Sequence, residues 1–250
     1  MMYTLKRETQ KIPCGKCGES VEVVTLEGLK LNSIYCPECE DQIRAEEEIE
    51  ITRQALQYIA DLRQERTKHY KRYAEKCGLP PRYHDADLYK MDVDNNNQEA
   101  VKAAYDFLEN PRSCLLLTGD TGRGKTWIAA AITRELILQG LAPLFTTASD
   151  LFSLLADSYR RDSFEASFAK IKKLPALIID DLGVEKTTDR ALEHMYGLID
   201  FRYSWEKGTV ITSNLSGRDI GERYGTRIMS RIKQSGKAVE VKGKDRRLQA

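Results

Sequence analysis

The chain contains no run of about 18 apolar residues, the length a membrane-crossing helix needs. Its first residues, MMYTLKRETQKIPCGKCG, hold no apolar stretch of the signal-peptide kind and no lipidation signal. A cytoplasmic protein with no membrane partner is therefore expected. Histidine is scarce, and His69, His84 and His194 stand at no metal-ligand spacing from one another. Net charge is nearly absent too: 39 basic and 38 acidic side chains leave +1, so no global field points to nucleic acid or an anionic surface. Charge is local instead. Basic residues gather between Arg63 and Lys76 and between Arg227 and Arg247, and Glu46, Glu47, Glu48 and Glu50 form an acidic block, each readable as solvated surface. No internal repeat or low-complexity tract occurs, and residues 41–77 have neither glycine nor proline to interrupt a helix.

What is present divides into three zones: a small module at 1–40, a linker helix at 41–77 and an α/β domain at 78–250. The first zone has two β-like runs, Val21 to Leu26 and Lys30 to Tyr35, with Glu27-Gly28-Leu29 as a hairpin turn between them. In the second, acidic residues lead and basic residues trail, as the helix dipole favours. Gly78-Leu-Pro-Pro81 ends it, and Pro80-Pro81 marks the domain boundary. Beyond lie five short strands: Cys114–Thr118, Pro143–Thr147, Ala176–Asp180, Thr209–Ser213 and Ala238–Val241. The first four are apolar throughout, as parallel strands covered on both faces must be. Helices at Lys125–Gln139 and Arg190–Trp205 complete a wound α/β pattern.

Gly119-Asp120-Thr121-Gly122-Arg123-Gly124-Lys125-Thr126 fits G-x-x-x-x-G-K-[ST] between a predicted strand and a predicted helix, with Trp127 following. Backbone N–H groups of such a loop cradle phosphate, and the helix N-terminus adds partial positive charge. Lys125 is expected to reach the β- and γ-phosphates of ATP, and the Thr126 hydroxyl to ligate Mg2+. Leu177-Ile-Ile-Asp180-Asp181 places two carboxylates at a strand's C-terminal end, where α/β sheets bind ligands. Asp180 would hold the magnesium through water and Asp181 would polarise an attacking water. Thr212-Ser-Asn214 ends the next strand; its asparagine reads equally as a group that orients water and as a turn residue.

Four of the six cysteines form Cys14-x2-Cys17 and Cys36-x2-Cys39, spaced by 18 residues as in a zinc ribbon. Four thiolates close a tetrahedron round Zn2+ and leave no open position, so the role is structural. A redox dithiol and plain buried cysteines are the competing readings. Cys77 and Cys114 read as core residues.

These motifs, followed by Arg227-Ile-Met-Ser-Arg231, resemble the AAA+ ATPase core over about residues 78–250. More narrowly, the Gly78-Leu-Pro-Pro-Arg-Tyr83 segment, Asp180-Asp-Leu-Gly183 and Gly243-Lys-Asp-Arg-Arg247 resemble the bacterial replicative-helicase loaders (DnaC- and DnaI-like) and the IstB-like transposition-helper ATPases. The resemblance implies a P-loop AAA+ sheet without a C-terminal helical lid, Asn214 as sensor 1, and Arg231 as an arginine finger entering a neighbouring subunit's site. Arg227, one turn earlier on the same face, is a second candidate. A finger acting in trans implies a homo-oligomer. Arg246 or Arg247 would approach phosphate or nucleic acid, or remain surface charges.

The implied function is an ATPase that loads a hexameric replicative helicase onto single-stranded DNA, of a kind that bacteria and phages both encode. Tyr159-Arg-Arg161 with Phe164 and Phe168 is one candidate DNA contact, core packing of the phenylalanines being the alternative. The second implied function is a transposition helper assembling on duplex DNA. The resemblance assigns the zinc module to helicase contact, which favours the loader. A small-metabolite P-loop kinase and a non-hydrolysing adaptor remain as readings from other classes. Asp181, where many AAA+ proteins have Glu but the helper-ATPase branch commonly has Asp, is one methylene shorter and implies modest turnover.

Overall fold

The computed structural model describes residues 7–26, 34–156, 164–185 and 187–245. It separates into two compact units that divide between Asp61 and Leu62. That division falls inside the expected linker helix and not at Pro80-Pro81. Side chains just before the prolines explain it: Ala74, Cys77 and Leu79 are buried in the core of the second unit.

In the first unit, β1 (Arg7–Pro13) pairs antiparallel with β2 (Ser20–Leu26), from Arg7↔Leu26 to Pro13↔Ser20. Residues 21–26 thus pair with 7–13, a strand the sequence did not announce, while most of the run expected at 30–35 lies outside the described residues. The turn at 27–29 lies outside the described residues. Two facts account for the unannounced strand. The first cysteine knuckle is itself the turn, closed by Cys14 N–H to Glu19 O at 2.7 Å and Gly18 N–H to Cys14 O at 2.9 Å, with Gly18 at φ +81. And β1 is exposed along most of its described length, so it needs no apolar alternation to betray it.

Helix α1 (Pro37–Lys68) starts within the second knuckle, with Pro37 at its first position, where the missing N–H costs nothing. The single helix expected at 41–77 is interrupted at His69 (φ −110, ψ 18), and α2 (Tyr70–Lys76) follows. Every residue from 44 to 61 is exposed.

The second unit is built on five parallel strands: β3 (Cys114–Thr118), β4 (Leu144–Thr147), β5 (Ala176–Leu182), β6 (Gly208–Ser213) and β7 (Gly236–Glu240). Their order is β4-β5-β6-β3-β7. Alternating strand residues feed two apolar layers. Leu115, Leu117, Ile178 and Val210 join α3 (Gln98–Glu109) and α4 (Lys125–Leu138) on one face. Leu116, Leu177, Ile179 and Ile211 meet α5 (Ala148–Ala156), α6 (Phe164–Lys173), α7 (Asp189–Ser204), α8 (Gly217–Tyr224) and α9 (Thr226–Ser235) on the other. The expected wound sheet is borne out, and β3, which leads into the P-loop, lies between β6 and β7. Among the described residues no helix is long and apolar enough to cross a membrane, and none follows β7.

Candidate nucleotide site and metal centre

The P-loop turns tightly because its glycines permit it. Gly119 takes φ +127, and a Cβ there would stand 2.4 Å from Val241 O; Gly124 reaches φ +94 immediately before α4. Lys125, the first residue of α4, is buried. Its Nζ donates to Gly119 O at 2.7 Å, Asp120 O at 2.8 Å and Asn214 Oδ1 at 2.6 Å. The lysine of β3's loop and the asparagine ending β6 therefore meet directly, as neighbouring parallel strands with aligned C-terminal ends allow.

Asp180 and Asp181 stand at the end of β5. Asp180 is buried, and burial pushes its carboxyl up, opposed by hydrogen bonds from the Thr212 and Thr126 hydroxyls. That juxtaposition of Thr126 and Asp180 fits a hard cation with oxygen ligands. Asp181 lines a cavity of about 530 Å³ together with Thr121, Lys125, Thr126, Trp127 and Asn214. Asp120 and Arg123 do not line it; they pair with each other at 2.7 Å.

Sequence reasoning missed the cavity's other wall, formed by Arg82, Tyr83, Lys90, Met91 and Asp92. Tyr83 and Trp127 meet edge to face, centroids 6.5 Å apart. The Leu-Pro-Pro-Arg-Tyr83 segment was visible as a family feature, but nothing in its residue types points to a ligand.

Arg231 and Arg227 do not line this cavity. Arg231 Nε donates to Asp200 Oδ1 at 2.8 Å and its guanidinium lies 4.6 Å from the Tyr203 ring centroid. Arg227 is exposed. Arg246 and Arg247, like Tyr159 to Arg161 and the Phe164 side chain, lie outside the described residues. Phe168 is buried in the core.

The four knuckle cysteines converge. All their Sγ atoms lie within 4.8 Å of one another, with Cys17 and Cys36 at 3.7 Å. A tetrahedron with Zn–S bonds of about 2.3 Å has edges of about 3.8 Å, so the sulfurs fit the ion closely. Backbone N–H groups of Cys17, Cys36 and Lys16 bring the Cys14 thiol down to about 6. Cys39 is pushed up to about 12, first by its hydrogen bond with Cys36 and then by burial. Thiols this crowded cannot all ionise without a cation among them.

Sheet order, P-loop, paired carboxylates and strand-end asparagine together define an ATP-binding P-loop protein of the AAA+ class. Its family follows from sequence: the family model of IstB-like ATP binding proteins matches residues 25–250, and the chain belongs to that family. The chain is 25% identical over 185 residues to the replicative helicase loader DnaC of Escherichia coli K12, spanning 72% of this chain and 76% of that one. To the ATP-binding protein of insertion sequence IS1162 from Pseudomonas fluorescens it is 33% identical over 116 residues, covering 46% and 49%. The crystal structure of the DnaI is similar at a TM-score of 0.57 and 26% identity, covering 67% of this chain and 93% of that one.

Proposed function

We propose that this protein is an ATP-hydrolysing loader that helps place a hexameric replicative helicase on single-stranded DNA. The observation that carries this reading is the relationship to the DnaC loader, which runs through most of both chains. In the site, Lys125 exchanges its three oxygen partners for the β- and γ-phosphate oxygens. Thr126 and Asp180 hold Mg2+, which neutralises phosphate charge when bound. Asp181 faces the attacking water, and Asn214, released from Lys125, orients it. The short Asp181 side chain suits slow turnover, so ATP serves chiefly as a switch. Hydrolysis is completed in an oligomer by a neighbour's Arg231, which must leave Asp200 to do so. The Zn2+-bound cysteine module supplies the grip on the helicase.

The deciding experiment is capture of a purified hexameric replicative helicase by the full chain, with and without ATP. Binding in at least one state is expected. Absence of binding in both would overturn the loader reading and favour the transposition helper, which the IS1162 relative supports over about half of each chain. Arg231→Ala should keep ATP affinity and lose most turnover in the assembled state, since arginine fingers supply about 10³-fold or more. Unchanged turnover would remove the finger assignment.

A further inference from the structure

Strands β5 and β6 run in register from Ala176↔Gly208 to Ile179↔Ile211 and then slip, the next pair being Leu182↔Ser213. Two residues of β5, Asp180 and Asp181, therefore face one residue of β6, Thr212. This is a bulge at the sheet's ligand-binding end. In a regular strand consecutive side chains leave on opposite faces, and only one carboxylate would serve the cavity. The bulge changes that. Asp181 adopts φ +58, a left-handed conformation unusual for a non-glycine residue, and its side chain lines the cavity. Asp180 stays buried beside Thr126.

Thr212 is fully buried and its hydroxyl serves both partners at once. It donates to Asp180 Oδ1 at 2.6 Å and accepts from Asp181 N–H at 2.9 Å. Ser213 repeats the device one step on, donating to Leu182 O and accepting from Leu215 N–H. β-Branching alone suits this strand, but Val210 and Ile211 show that an apolar side chain would satisfy packing here. Only the hydroxyl can hold a carboxylate and a strained N–H together.

We propose that Thr212 is a positioning residue of the ATP site: its one hydroxyl sets the orientation of the magnesium carboxylate Asp180 and the backbone of Asp181. The spacing between metal ligand and water-facing carboxylate is thereby fixed from the neighbouring strand. This rests on the roles given to Asp180 and Asp181 under the proposed function. Removing the hydroxyl while keeping its shape frees the Asp180 carboxylate to turn and leaves the Asp181 N–H without an acceptor.

The test uses the full chain as Thr212→Val and Thr212→Ser, with ATP affinity measured in EDTA and across a Mg2+ titration, alongside turnover. Thr212→Val should keep metal-free ATP affinity. It should raise the half-saturating Mg2+ concentration about tenfold and lower turnover by at least as much, because small displacements at such sites carry effects of that order. Thr212→Ser should restore both. A purely structural role would lower the melting temperature and leave the Mg2+ midpoint in place; that result, or serine behaving as valine does, overturns the proposal. Thr212→Ala is read in the same way should the valine protein fail to fold. Wild-type ATP binding with no Mg2+ dependence would instead defeat the magnesium reading of Asp180, a separate failure.

Discussion

Up to Asp61, the buried apolar side chains among the described residues are Cys14 and Cys39; from Leu62 onward, two apolar layers cover both faces of a five-stranded sheet. The first unit has a two-stranded ribbon and the exposed part of α1, neither of which excludes much water. A hairpin of this kind is marginal by itself. Its four converging sulfurs, which fit Zn2+, are what sets it apart, and the proposed ion would supply most of its folding energy. The second unit owes its fold to burial of Leu, Ile, Val and Ala, and its chemistry lies at the strand ends. The difference teaches that a unit with almost no apolar core and four clustered sulfurs, and a unit with two apolar layers, should fail under different stresses.

The sharpest way to break the comparison is to strip zinc. A chelator, or Cys36→Ser, should unfold the first unit outright, since structural zinc supplies about 10–16 kcal/mol in small modules. The melting of the second unit should not move. Amide exchange resolved by region checks both halves, and a protected 7–26 ribbon without metal would refute the contrast.

The next effect falls on Arg202, a cation buried in the second unit with no carboxylate partner among the described residues. Its guanidinium donates to Thr209 Oγ1 at 3.0 Å, to the carbonyls of Ile171, Lys172 and Leu174 at 3.1 to 3.2 Å, and to Gly208 O. Burial brings it down to about 10, so it stays charged. It ties the end of α6 to β6. Arg202→Met should cost about 3–5 kcal/mol by leaving buried carbonyls without donors, a drop of several degrees or more in the Tm of the second unit alone.

Lys125→Ala should lower ATP affinity about a hundredfold, or about 2.7 kcal/mol, while the zinc module keeps its metal. Retained affinity in equilibrium binding would sink the P-loop assignment. At the small end, Arg53→Ala removes an exposed i,i+3 pair with Glu50 at 3.0 Å on α1 and should leave every transition unmoved in a thermal scan. A measurable loss would mean that α1 is held by more than its own surface.

Much of this was legible from the chain, and unevenly so. Three buried strands, β3, β5 and β6, announced themselves because both faces of a parallel sheet demand apolar runs; Cys114–Thr118 is the strand as expected and Gly208–Ser213 differs by one residue. The polar strand β1 gave no such signal, because a ribbon open to water sets no hydrophobic pattern. The site was legible where spacing in sequence equals spacing in space, as in Gly119–Thr126 and the two CxxC pairs. It was illegible where distant segments meet, as when Arg82, Tyr83 and Met91 close the cavity opposite the P-loop.

By itself, then, the sequence determined a phosphate-binding loop on a wound parallel sheet and the gathering of four cysteines near its N-terminal end. Local spacing and apolar periodicity are enough for that. Only the tertiary structure decided that Lys125 meets Asn214, that Arg231 rests against Asp200, and that Asp180 and Asp181 share the single Thr212 hydroxyl. Those contacts join residues 31 or more positions apart. Strand register, a one-residue bulge and, for Arg231 with Asp200, the packing of α9 on α7 set them, and none leaves a mark in the order of the residues.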